Sequence, residues 1–347
     1  MDIMIQWAYL ELFIFITVGL YTWLWIRSRR PISYPPGPTP LPLIGNFYNI
    51  SDGDFLKPVR DIRKKHGDIF SMSLGTYWVI VVNGADNIRE LLNSRGEQML
   101  DRPPIYILKL NDSYGIPSAS GRLWKEHRTF ALNKLKSFGF DKQLTTVVGD
   151  LFPTGTETTS TTIMWAILYL IRNKHIQDKM HQEIVDVVGH SRLPNMADKP
   201  HLPYCEAVII ESLRLGNIVP FAIPYYVTED FEYKGYMFPK GAIIFLSIDS
   251  ALSSEETFPN SDEFNPDRFI DADGNLHSQE KILAFSAGRR VCLGESLARM
   301  ELFLYLTSMV QRYEFLSPEG QDPPSTKGHL GITRTPLPYD CRAVLRS

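Results

Sequence analysis

The stretch FSAGRRVCLGES, Phe285 to Ser296, constrains the chain more than any other. Cys292 lies between two glycines, Gly288 and Gly294, and a helical pattern begins directly after it, from Leu293 to Arg312. Within that pattern Leu293, Leu297, Met300 and Leu304 fall on one apolar face. Cys292 therefore stands at the N-terminal edge of a helix, where free N–H groups and the positive end of the dipole favour a thiolate. Glycines let the backbone approach a flat group closely, and Arg290 is placed to neutralise a carboxylate. Such a set of residues suits a thiolate ligand for haem iron, with an arginine on a propionate. The alternative is a cysteine that only fills the core, since free cysteine is commonly buried.

Composition narrows the class. The chain has 347 residues, enough for one large domain or two ordinary ones, and a formal net charge of -3 gives no sign of a nucleic-acid partner. Its 3 cysteines, Cys205, Cys292 and Cys341, are far apart and odd in number, so no disulfide framework is expected and a reducing compartment fits. No G-x-S-x-G, HExxH or phosphate-binding glycine loop is present, which removes the common hydrolase and nucleotide-binding readings.

The N-terminal segment Trp7 to Ile26 is 20 residues long with one charge, Glu11, and Arg27, Arg29 and Arg30 follow it. That length spans a bilayer, and the basic cluster predicts a single-pass anchor with the rest of the chain in the cytosol. YPPGPTPLPLIGN, Tyr34 to Asn46, carries five prolines and predicts a stiff, extended connector. Helical patterns follow at Asp54 to Lys65 and Arg122 to Gly139, with two strands around Gly75-Thr76. Further helices are read from Ser160 to Asn173, over IQDKMHQEIVDVVG, and from Leu202 to Gly216; Pro224 to Ile248 reads as strands and turns. The fold class expected is mostly α with small β-sheets.

FSAGRRVCLG resembles the F-x-x-G-x-R-x-C-x-G signature of the cytochromes P-450, the haem-thiolate monooxygenases, with Phe285, Gly288, Arg290, Cys292 and Gly294 at its fixed positions. ESLR is similar to the family's E-x-x-R helix, in which Glu211 and Arg214 lie one turn apart and can pair. NPDRF resembles the P-x-R-F element, whose arginine, here Arg268, completes a buried network with that pair. Taken alone, each would be an ordinary surface ion pair. WKEHR supplies Trp124 and Arg128, similar to the W-x-x-x-R helix that reaches a haem propionate. GTETT resembles the distal helix, in which Glu157 and Thr158 would be the acid–alcohol pair that relays protons and Gly155 would leave room beside them; by itself the run reads as a capping segment.

The resemblance, closest to the microsomal hydroxylases grouped as family two, implies a cytochrome P-450 fold carrying heme b (iron protoporphyrin IX). It implies oxygen insertion into an apolar substrate, a fatty acid, steroid or xenobiotic. Electrons would come from an NADPH-dependent reductase, with cytochrome b5 as a second donor, and Lys125, Lys134 and Lys136 lie in the helix that faces the reductase. The location implied is the endoplasmic reticulum membrane, in contact with lipid. On this reading residues 1–30 are the anchor and stop-transfer cluster, 31–50 the hinge, and 51–347 the monooxygenase domain.

That domain departs from the pattern in one large respect. FGFDK, ending at Lys142, runs directly into distal-helix sequence, so the helical block that roofs the substrate pocket is missing near 142–144. Pro153 falls where the distal helix should be unbroken, Thr154 stands where Ala or Gly is preferred, and Tyr225 replaces a basic residue near a propionate. The second functional reading is therefore a shortened, catalytically inactive isoform that acts as a binding or regulatory partner of full-length relatives.

Overall fold

The computed structural model describes residues 2–49, 55–105, 116–134, 142–331 and 333–346. The first helix, α1 (Asp2–Ser28), has 27 residues and is about 40 Å long. Its side chains Leu12, Phe13, Phe15 and Ile16 all stand exposed. Among the described residues no helix is long and apolar enough to cross a membrane. The span expected from Trp7 to Ile26 falls within α1 and is not shown as one.

The proline-rich connector is no free linker. The Ser71 N–H and hydroxyl donate to the carbonyls of Pro36 and Pro35 at 2.8 and 2.6 Å, and Asn46 exchanges hydrogen bonds with Ser73 at 2.7 and 2.8 Å. A side chain at Gly37 would sit 1.8 Å from the Ser71 carbonyl oxygen, so only glycine permits that approach. The connector thereby covers the outer edge of strand β1 (Ile69–Leu74), an edge that would otherwise offer unpaired backbone groups.

β1 pairs antiparallel with β2 (Tyr77–Asn83), Ile69 opposite Val82, through the tight turn at Gly75-Thr76. With β3 (Tyr225–Tyr226) and β6 (Ile243–Ser247) they form one sheet in the order β1-β2-β6-β3. The β2–β6 pair is parallel, Val79 opposite Ile243. Helices α2 (Leu56–His66) and α3 (Ala85–Arg95) cover this sheet, burying Val59 and Ile62 from one and Ile88, Leu91 and Leu92 from the other. The hairpin β4–β5 (Phe231–Tyr233, Tyr236–Phe238) adds Phe231 and Phe238, stacked 5.0 Å apart.

The helical half contains α5 (Lys142–Arg172), α6 (Lys174–Val188), α7 (Pro203–Gly216) and α9 (Glu295–Arg312); α4 (Gly121–Lys134) and the short α8 (Ile248–Leu252) lie between the halves in sequence. They share a core of Trp165, Leu168, Met180, Ile184, Leu202, Phe303, Leu306 and Val310. Two expectations are corrected. α5 runs through Pro153 without a break, because tertiary packing of Trp165, Leu168 and Tyr169 anchors its C-terminal half. The face of α9 read as apolar is also not its buried one: Leu297 is exposed and Leu302, Phe303, Leu306 and Val310 are inside. Apolar and polar residues are mixed around that helix, so periodicity does not choose its face. The C-terminal strands β7 (Tyr313–Leu316), β8 (Gly328–Leu330), β9 (Arg334–Pro336) and β10 (Arg342–Leu345) pair as β7–β10 and β8–β9.

One buried polar knot joins α7 to the segment before the cysteine loop. The Arg214 guanidinium donates to both carboxylate oxygens of Glu211 at 2.7 and 2.8 Å and to the carbonyls of Leu252 and Glu263. Arg268 and the Asn265 N–H also reach Glu211 Oε1, at 3.1 and 2.9 Å. Both members of the Glu211–Arg214 pair are inaccessible to solvent, so this is no surface ion pair. Removing one partner leaves an uncompensated buried charge. Glu211→Gln is expected to lose about 3–5 kcal/mol of unfolding free energy in a urea titration; a midpoint equal to that of the unsubstituted chain would contradict this.

Candidate haem-thiolate site

The Cys292 N–H donates to the Phe285 carbonyl at 3.1 Å, closing the loop, and residues Gly288–Arg290 form one tight helical turn inside it. Gly288 has φ +69, and a side chain there would meet Leu92 Cβ at 3.1 Å. Glycine at this position thus serves both the turn and contact with α3. Gly294 differs: nothing lies within 4 Å of where its Cβ would be, so its backbone faces open space. The Phe285 ring lies under the Arg299 guanidinium at 5.0 Å.

Cys292 is exposed, whereas Cys205 is fully buried. The filler reading therefore fits Cys205 and not Cys292. Partial shielding of the sulfur pushes the Cys292 thiol up, outweighing the N–H groups of Gly294 and Glu295 and the positive charge of Arg128. The expectation that the helix start alone favours a thiolate is corrected on this point. A bound metal cation would deprotonate the thiol outright.

Arg290 is buried and donates to the carbonyls of Leu100, Ile116 and Ala119 at 2.5 to 3.1 Å. Its guanidinium lies 4.0 Å over the Trp124 ring, and that of Arg128 lies 5.9 Å from the same ring. Arg102, which sequence reasoning missed, donates to the carbonyls of Pro117, Ile223 and Pro224 and sits 4.9 Å over Tyr225. It supplies a cation where Tyr225 departs from the family pattern. A charged residue fixed before Pro103-Pro104 is the only sequence signal for it, and that is too general to act on.

None of these three arginines makes an ion pair with a carboxylate among the described residues. Burial and mutual repulsion depress Arg290 to about 9, with Asp101 and Tyr225 offsetting part of this, and burial depresses Arg102 to about 10. Burial lowers Arg128 as well. Among the described residues the Trp124 Nε1–H and His127 Nδ1 are both buried without a hydrogen-bond partner. Three cations without counter-ions beside two orphaned nitrogens make a receptor for carboxylates, so the residues present fit a dicarboxylate porphyrin. Leu293, next to Cys292, packs against the same cluster as Trp124.

The distal residues are arranged differently. Glu157 is exposed and accepts a hydrogen bond from the Thr333 hydroxyl at 3.0 Å. The Thr158 hydroxyl donates to the Thr154 carbonyl of its own helix, so Glu157 and Thr158 do not bond to each other. Buried Thr159 reaches across to Glu301 Oε2 of α9 at 3.1 Å. Nothing lies within 4 Å of a Cβ built on Gly155. Lys125 is exposed on α4; Lys136, the Lys134 side chain and residues 106–115 of the expected pocket loop lie outside the described residues. An open cleft of about 1470 Å³ lies elsewhere, lined by Gly37, Arg60, Tyr169, Arg214 and Arg334, and includes no residue of the Cys292 group.

Comparison with known proteins accounts for this arrangement. The family model described as Cytochrome P450 matches residues 35–146 and 140–343, two segments that meet at 140–146. Cytochrome P450 2D9 of Mus musculus is 28% identical over 472 aligned positions, covering 92% of this chain and 94% of the relative. Cytochrome P450 2D6 of Pan paniscus is 28% identical over 472 positions, covering 92% and 95%. Cytochrome P450 2D28 of Mesocricetus auratus is 28% identical over 489, covering 96% and 97%. With 472 aligned positions against 347 residues, at least 125 positions of the first alignment have no residue in this chain. The cysteine loop, the Glu211–Arg214–Arg268 knot and the Trp124 helix are features of one lineage, and the chain belongs to the cytochrome P450 family.

Proposed function

We propose that this chain binds haem through Cys292 as a membrane-attached protein of the monooxygenase class, with the roof of its substrate pocket removed. The observation that carries the reading is the cluster of Arg102, Arg128 and Arg290, without counter-ions, beside an exposed cysteine. Cys292 would hold the iron, and Arg128, Arg290 and Trp124 would hold the carboxylate edge, with Arg102 reinforcing it. The open backbone at Gly294 gives a flat ring room beside the cysteine. When bound, haem would supply oxygen activation with reductase electrons, the chemistry for placing one oxygen atom in an apolar substrate. Thr158 Oγ1 and the Glu157 carboxyl are the places on α5 where a proton is held, once Glu157 leaves Thr333.

α1 supports membrane attachment, since its exposed aliphatic residues and its many aromatics suit a bilayer and its interface. The partners that fit are a reductase docking near Lys125, cytochrome b5, and the endoplasmic reticulum bilayer. A deletion near 142–144 is supported by the two family-matching segments that meet there and by the unmatched positions in the relatives.

A second reading has its own support. Glu157 is exposed and held by Thr333, and the absent block leaves the oxygen side uncovered. A chain with this arrangement takes up haem without productive turnover and acts as a partner of full-length relatives.

The reduced, carbon monoxide-bound absorption spectrum tests the first reading. A Soret band at the thiolate-ligated position is expected for the full chain and should disappear in Cys292→Ser; a band that survives the substitution would rule out Cys292 as the ligand. With that band present, substrate oxidation supports the monooxygenase, and its absence in reconstitution with reductase supports the partner reading. For attachment, Phe13→Asp with Ile16→Asp is expected to abolish flotation with anionic liposomes. Equal flotation of both proteins would remove α1 as the anchor.

A further inference from the structure

His127 is more than nine-tenths buried, and its Nδ1 has no hydrogen-bond partner among the described residues. An orphaned buried polar atom costs about 1–3 kcal/mol, so it calls for an explanation. The position on α4 supplies one. Trp124, His127 and Ala131 form the buried face of that helix, at spacings of three and four residues. Trp124 and His127 are therefore neighbours one turn apart, and the Trp124 Nε1–H is orphaned as well. The cations around this face are Arg290 over the Trp124 ring, Arg128 in the next position of α4, and Arg102 close enough to depress Arg290. Asp101 is the nearby acid, and its carboxylate is taken by the Gly121 N–H at 2.7 Å. Two unpaired ring nitrogens thus lie one turn apart on the buried face of α4, near arginines that make no ion pair among the described residues.

We propose that His127 is a further binding residue for the prosthetic group, with its Nδ1–H donating to a carboxylate beside Trp124 Nε1. The inference rests on the haem-binding reading above. It adds a second ring N–H, beside that of Trp124, to a site whose other members are guanidinium groups. Guanidinium charge attracts a carboxylate from several directions, whereas a ring N–H fixes one oxygen in one place. His127 would therefore restrict where that carboxylate is held. A residue serving only to fill the core would show no such dependence on the carboxylates.

Haemin and haemin dimethyl ester, whose carboxylates are capped, separate the two roles. Release of each to an excess of apomyoglobin would be followed by absorbance for the full chain, His127→Leu and His127→Asn. His127→Leu is expected to release haemin about ten- to a hundredfold faster, the size of one hydrogen bond to a charged group. Release of the dimethyl ester should be unchanged by the substitution. His127→Asn, which returns an N–H near the position of Nδ1, should recover most of the loss. Unfolding of haem-free His127→Leu in urea should occur at no lower midpoint than that of the unsubstituted chain, because the variant removes an unsatisfied group. Equal acceleration for haemin and its ester, or none for haemin, would overturn the assignment while leaving haem binding intact. Failure of the unsubstituted chain to bind haemin is a distinct result that removes the haem-binding reading and this assignment together.

Discussion

Three guanidinium groups without counter-ions set the character of this molecule. Arg290, inside the cysteine loop, donates to carbonyl oxygens and lies against the face of Trp124. Arg102 ties the segment before α4 to the strand carrying Tyr225 in the same manner. Carbonyl dipoles solvate a cation but do not cancel it, and a buried unpaired charge is among the largest penalties a fold can carry. Of the three, Arg290 is buried and Arg102 and Arg128 are partly buried, and none has an ion-pair partner among the described residues. The open backbone at Gly294 and the exposed sulfur of Cys292 lie in the same loop as Arg290, and the haem-binding proposal rests on that arrangement.

The rest of the fold holds that receptor in place. α3 packs its Leu92 against Gly288, so the sheet half fixes the turn that aims Cys292. On the helical side, the Glu211–Arg214–Arg268 knot ties α7 to the segment that leads into the same loop. Both halves thus converge on residues 285–294 from opposite sides. The proline connector, stitched along β1, fixes where the chain leaves α1 relative to the sheet.

Much of this was legible in the sequence. The cysteine loop has fixed glycines and an arginine at set intervals, and such spacing reflects backbone geometry that few other folds require. The Glu211 to Arg214 spacing showed a pair but not its burial, which depends on Arg268 fifty-four residues beyond Arg214. Arg102 and His127 were invisible because their significance is tertiary: one is a cation without an ion-pair partner among the described residues, the other a buried ring whose Nδ1 is unpaired there. The buried face of α9 was misread because Leu297, Met300 and Leu304 are as apolar as Leu302, Phe303 and Leu306. The continuity of α5 through Pro153 also follows from packing that propensity does not contain. The acid–alcohol motif was readable as a motif, but its bonding to Thr333 and Thr154 came from segments far away or from its own helix.

The central claim is that the arginine cluster awaits a dianionic porphyrin, and equilibrium unfolding in urea tests it directly. Haemin at a hundredfold excess over its dissociation constant should raise the unfolding free energy by about 2.7 kcal/mol. Metal-free protoporphyrin IX, which offers the carboxylates without the iron, should give part of that gain. An unfolding midpoint that neither compound moves would mean that the charges around Trp124 are not a porphyrin site, and the account would fail at its base.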